Sequence, residues 1–218
     1  MVELRIALID SNETVRAGRA MLINSQPDMK LVFEESDPSR ALERAPEYLV
    51  DVLITSVKQH GFPGLTFVQK MAETLNAAGN SAAMLVTSPF SSTEMRSQSV
   101  FSGASDLVSL EEDGQVFLRK VRQVSKRDFL VEEDFLEILA EDFDSLEVNR
   151  ELANNFEQLD SSQKAIIANF NEGLSDFENA KRLDVSKLRV TQLLTQLMQA
   201  GALRTRNQLA IAVRRLSK

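Results

Sequence analysis

Two groups of side chains in this sequence have the types and spacing to do chemistry. The first lies near the C-terminus, where Lys187, Arg189, Val190, Thr191, Gln192 and Thr195 follow Ser186 in close order. Lysine or arginine can pair with guanine in the major groove and glutamine with adenine. Ser175, Arg204 and Arg206 flank this run and suit phosphate contacts, which position a protein on a duplex without reading its sequence. The second group is Asp10, Ser11, Ser56, Thr87 and Leu110, each at the end of an apolar run. With Thr55 and Ser88 these hydroxyls make a small polar cup, which reads as a solvated strand edge or as a site for a neutral or weakly charged ligand. Magnesium usually takes one or two carboxylates, so Asp10 alone makes a weak magnesium site. A serine hydroxyl is a poor nucleophile without an adjacent base.

The elements that must carry these residues are legible. In the first 124 residues, five apolar runs ("LRIALID", "MKLVFEE", "DVLITS", "AAMLVTS" and "SDLVSL") alternate with helical stretches near 13–25, 38–46, 64–76, 92–101 and 113–124. Runs that are apolar throughout fit strands covered on both faces. Five β-then-α repeats imply a doubly wound five-stranded parallel (βα)5 sheet, whose ligands sit at the carboxyl ends of the strands. That topology gathers Asp10, Ser56, Thr87 and Leu110 at one edge. Asp37 followed by Pro38 reads as a cap and first-turn pair, and Ser91 with Glu94 as a capping box.

In the last sixty residues, helix-start signals recur at Asp160 with Gln163, Ser175 with Glu178, Ser186, and Thr205 with Gln208. Four short helices follow from them. Leu183, Asp184 and Val185 make the turn between the inner pair, and Gly201 is placed to end the second of them. Ile166, Ile167, Phe170, Leu174, Phe177, Ala180, Leu183, Val185, Val190, Leu193, Leu194 and Leu197 suffice for a small core. Two helices joined by a tight turn, the second bearing basic and polar side chains, are what the major groove accepts.

The order "LDSSQKAII", "EGLS..E.A.RL.VS...V" and "LRTRNQ" resembles the LuxR-type DNA-binding domain of NarL/FixJ response regulators. "IDSNETVRAG", "DVLIT", "GFPGL" and "GASDLVSL" resemble the receiver domain of the same regulators. The resemblance implies a receiver, a linker and a helix-turn-helix domain, together with double-stranded DNA as partner. It also shows where the chain departs. Two adjacent acidic residues are usual after the first strand, and here they are Asp10 and Ser11. The phosphate-accepting aspartate is replaced by Ser56, the fifth-strand lysine by Leu110, and the switch aromatic by Leu107. A lysine is usual at Thr191, often a histidine at Leu193, and an isoleucine at Asn179, whose burial would demand hydrogen-bond partners. The implied receiver is degenerate, with an input other than phosphotransfer.

Charge supports the division. The net charge of −7 conceals +5 over residues 159–218, −8 over 125–158 and −4 over 1–124. Screening beyond about 8–10 Å lets the basic segment act locally. The linker stretch Asp128–Glu147 carries nine carboxylates and no basic residue. Phe129, Phe135, Leu136, Leu139, Phe143 and Leu146 interleave with these acids, which reads as an amphipathic helix. Such a helix can pack on its own receiver or pair with a second copy, and its acids can compete with DNA for the basic domain.

There is no cysteine, and His60 is the lone histidine, so neither disulfides nor thiolate or histidine-cluster metal sites arise. Nor do a base, a nucleophile and an orienting group assemble into an enzyme site. No apolar run approaches the roughly 18 residues of a membrane span, which makes cytoplasmic residence the expectation. The sequence reading is therefore a transcriptional regulator of three parts, 1–124, 125–158 and 159–218, with no cofactor and no metal. Modest affinity of a single small domain implies a homodimer on paired half-sites. A small-molecule or protein effector at the receiver is the implied input. The alternative is a regulator that contacts proteins rather than DNA.

Overall fold

The computed structural model describes residues 3–78, 80, 82–126, 150–172, 174, 176–203 and 206–216. The chain divides into two compact units, residues 1–126 and 127–218.

The first unit alternates strand and helix: β1 (Leu4–Ile9), α1 (Glu13–Asn24), β2 (Met29–Glu35), α2 (Pro38–Arg44), a short 3-10 turn (Ala45–Glu47), β3 (Val52–Ser56), α3 (Thr66–Ala77), β4 (Ala83–Ser88), α4 (Thr93–Phe101), β5 (Asp106–Ser109) and α5 (Gly114–Ser125). All pairings are parallel, in the order β2-β1-β3-β4-β5. The inner strands β3 and β4 are buried along their whole length because both faces are covered, whereas the edge strand β2 leaves Lys30 and Glu34 exposed. On one side, Ala7, Ile9, Leu53, Met84, Val86 and Leu107 pack with Phe67 and Met71 of α3. Alternation along the strands sends Ile6, Leu8, Ile54, Leu85 and Val108 to the other side. There α1 and α5 lie against the sheet, with Ile23, Leu118 and Val121 buried.

The start signals at Asp37, Asp160 and Ser186 act as read and one is shifted, while the expected caps Ser175 and Thr205 lie outside the described residues. Asp37 caps α2 and Pro38 takes its first turn. The cap of α4 is Ser92, whose hydroxyl accepts from the Met95 amide, and not the Ser91 that the spacing with Glu94 suggested.

The second unit contains α6 (Arg150–Glu157), α7 (Ser161–Asn171), α8 (Asp176–Leu183), α9 (Lys187–Ala200) and α10 (Arg206–Leu216). Asp160 and Gln163 form a reciprocal capping box at α7. The core is Ile166, Ile167, Phe170, Ala180, Val190, Leu193, Leu194, Leu197, Leu209, Ala210 and Val213. Leu152 of α6 and Leu159 are buried in the same core. The segment from 150 therefore packs with the C-terminal helices, earlier than the expected boundary at 159. The expected amphipathic helix of Asp128–Glu147 lies outside the described residues. Among the described residues, no helix is long and apolar enough to cross a membrane.

One core assignment is corrected. Phe177 is 65% exposed, and the inward slot of α8 belongs to Asn179. Asn179 donates to the Ile166 carbonyl at 2.8 Å and accepts from the Asn169 amide at 3.0 Å. Its burial is satisfied across α7 and α8, with no part played by Phe177. At the end of α9, Gly201 is the C-cap, but the left-handed residue is Ala202, at φ 51°. Glycine is needed at 201 for space: a Cβ there would lie 2.8 Å from Leu203 and 3.0 Å from Leu152.

Candidate nucleic-acid interface and strand-end pocket

The turn between α8 and α9 is built around Asp184, in the left-handed region at φ 52°. Aspartate tolerates that conformation better than most residues. The Ser186 hydroxyl then accepts from the Arg189 amide and opens α9. One stripe of α9, Val190, Leu193, Leu194 and Leu197, is buried. The opposite face presents Lys187, Leu188, Arg189, Gln192, Thr195, Gln196 and Gln199 to solvent.

Of the expected base-reading residues, Lys187, Arg189, Gln192 and Thr195 thus lie on one accessible surface. Val190 does not, because it is fully buried in the core. Thr191 is half-buried, and its hydroxyl donates to Asp176 Oδ2 at 2.7 Å. Arg206, expected at phosphate, instead grips the same Asp176 carboxylate with two nitrogens at 2.5 and 2.8 Å. Its guanidinium is engaged inside the protein. Ser175 and Arg204 lie outside the described residues. Asp176 therefore ties α8, α9 and α10 together at one point, a role that sequence spacing did not suggest.

The other expected site is assembled but altered. Strand register sets Ile9 beside Thr55, Ser56 beside Thr87 and Ser88 beside Ser109, so the chain ends gather as expected. Asp10 is buried, and one carboxylate oxygen accepts from the Asn12 amide at 2.8 Å. Burial pushes its carboxyl above the ordinary aspartate range, against the Asn12 amide and the charges of Arg19 and Arg16. The Ser56 hydroxyl accepts from the Lys58 amide, and Ser88 from the Phe90 amide. Thr87 is buried, and its Oγ1 has no partner among the described residues. The Leu110 backbone amide donates to the Ser88 carbonyl.

Two residues missed by sequence reading complete this edge. Gln59 is buried; its amide nitrogen donates to the Ile9 carbonyl and to Thr55 Oγ1, each at 2.9 Å. Its oxygen accepts from the Ser11 hydroxyl at 2.6 Å. A neutral carboxamide thus bridges β1 and β3 at Ile9 and Thr55. His60 is exposed, and its backbone amide donates to the same Ser11 hydroxyl.

Arg19 is the second. It is only 8% exposed, its guanidinium lies 4.1 Å from the Phe117 ring centroid, and it feels the charges of Asp10 and Glu112. Burial lowers its pKa to about 10. Its position between Val15 and Ile23, at helical spacing, was the available signal.

No family model matches the chain. It is 25% identical over 210 residues to the oxygen regulatory protein NreC of Staphylococcus aureus, covering 94% of each chain. The structure is similar to the RcsB response regulator of Salmonella typhimurium, with TM-score 0.54, 14% identity and full coverage of both chains. A LuxR-family two-component response regulator from Aurantimonas sp. SI85-9A1 matches 64% of this chain and 97% of its own, with TM-score 0.54 and 21% identity. The chain is similar to NreC along nearly its whole length and has the fold of full-length response regulators such as RcsB, a five-stranded parallel α/β unit followed by a helical unit.

Proposed function

We propose that the chain is a DNA-binding transcriptional regulator whose receiver acts without aspartyl phosphorylation. The observation that carries this reading is the exposed row of α9. Lys187, Arg189, Gln192 and Thr195 stand clear of a helix whose opposite stripe is buried, in the element that helix-turn-helix proteins lay in the major groove. RcsB, similar to this chain over 97% of its length at 15% identity and TM-score 0.52, has been solved in complex with DNA. The loss of phosphorelay in this reading rests on Ser56, which offers no carboxylate, and on Leu110, which offers no cation. A homodimer on paired half-sites, with a ligand or protein partner at the receiver as input, completes the reading.

Titration of the full chain with duplex DNA across about 50–200 mM salt tests it. Affinity should fall with salt by about 0.9 log unit per log unit for each neutralised phosphate. Arg189→Ala should reduce discrimination between sites by about 1–3 kcal/mol. Absence of DNA affinity at low salt would favour the second reading, a regulator that contacts proteins, which the exposed ring of Phe177 on α8 supports.

A further inference from the structure

The exposed face of α9 contains one residue that neither the charge nor the core explains. Leu188 is 65% exposed in the first turn of the helix. The core stripe of α9 is complete without it, since Val190, Leu193, Leu194 and Leu197 fill that role. A large apolar side chain left in water forgoes the stabilisation that burial would give it. Its neighbours define its surroundings: Lys187 and Arg189 flank it, and Gln192 and Thr195 follow at the i+4 and i+7 positions of the same face.

We infer that Leu188 is a specificity-determining residue that reads the 5-methyl group of thymine in the major groove. This rests on the DNA-binding reading above and gives it a base preference. Among the major-groove features of the four bases, the thymine methyl is the apolar one, and aliphatic side chains recognise it by contact. The two flanking cations suit an N-terminal turn lying between phosphate backbones. Gln192 sits about 6 Å further along the axis, four residues at 1.5 Å each. That is close to two base-pair steps of 3.4 Å. Gln192 is suited to the N6 and N7 edge of adenine. Leu188 and Gln192 together thus favour A·T pairs one or two steps apart, with direct readout that is apolar and neutral rather than cationic.

The test uses the full chain and a pool of duplexes with a randomised centre. The tightest-binding duplex is selected, and each thymine is then replaced singly by uracil, which removes only the methyl group. One or two replacements should weaken binding about fourfold each, the worth of one buried methyl-sized group. Leu188→Ala should weaken binding to the thymine duplex by a similar factor and be blind to those replacements, so that the two changes are not additive. Far-UV circular dichroism of the variant confirms that the exposed substitution leaves the helices intact. Selected duplexes that bind equally well with uracil at every position overturn this inference alone and leave DNA binding standing. Failure to retain any duplex overturns both.

Discussion

At the scale of single residues, the strand-end pocket shows how few changes convert a charged site into a neutral one. Where the resemblance implies an acceptor aspartate and a lysine, the chain has Ser56 and Leu110, and Gln59 is bonded to Ile9, Thr55 and Ser11. Asp10 is the remaining acid of this set, and its environment disfavours its charge. Because burial raises its pKa on folding, the folded chain holds the proton more tightly than the unfolded chain. The resulting penalty is present above the raised folded pKa and vanishes below the ordinary aspartate range. Asp10→Asn keeps the oxygen that accepts from the Asn12 amide, so it should raise the melting temperature at neutral pH. That advantage should shrink as pH falls through the folded pKa of Asp10. Melting curves between neutral and acid pH check it, and a stability loss at neutral pH would mean the carboxylate is favourably held.

Asn179 makes a second residue-scale case. Asn179→Ala strips the partner from the buried Asn169 side-chain amide and a second bond from the Ile166 carbonyl, which keeps its place in the α7 ladder. An unsatisfied buried group costs about 1–3 kcal/mol, so a loss in that range is expected. The single tyrosine, Tyr48, lies in the first unit and there is no tryptophan. A destabilised second unit should therefore show as an earlier transition in far-UV circular dichroism with tyrosine fluorescence unmoved.

At the scale of elements, three helices of the second unit are pinned by one carboxylate. Asp176 on α8 bonds Thr191 on α9 and Arg206 at the start of α10. Arg206 and Asp176 are only 21% and 12% exposed at the side chain, so screening by water is limited. Asp176→Ala should destabilise the unit by about 2–3 kcal/mol, the range for charge-assisted bonds with an arginine left unpaired. Amide hydrogen exchange along α9 and α10 should rise together in the variant. Unchanged exchange in α10 would show that the pairing does not hold that helix.

This element scale also marks the limit of what the sequence made legible. Strand runs, the caps of α2, α4, α7 and α9 and the turn at Asp184 are local, and they stand within a residue or two of where spacing placed them. The bond between Asp176 and Arg206 spans thirty positions, and no local pattern announces it. Arg206 therefore read as a phosphate ligand, and Val190 as a base-reading residue, although helical geometry turns Val190 into the core. Phe177 read as core because aromatic residues usually fill such slots. The inward slot two residues on, across the helix from Phe177, had instead been given to Asn179 by its partners on α7. Gln59 escaped notice because a glutamine in a loop sequence carries no sign that its amide will reach back to β1.

At the scale of the whole molecule, the account joins a receiver fold without an acceptor carboxylate to a helix-turn-helix unit with an accessible recognition face. The central claim is that DNA binding here is uncoupled from aspartyl phosphorylation. The most direct test measures DNA affinity of the full chain before and after incubation with acetyl phosphate and Mg²⁺, with intact mass recorded on the same samples. The account predicts an unchanged dissociation constant and no phosphoryl adduct, because Ser56 presents a hydroxyl where an acceptor carboxylate would be needed. A labile phosphoryl adduct accompanied by a shift in DNA affinity would contradict it.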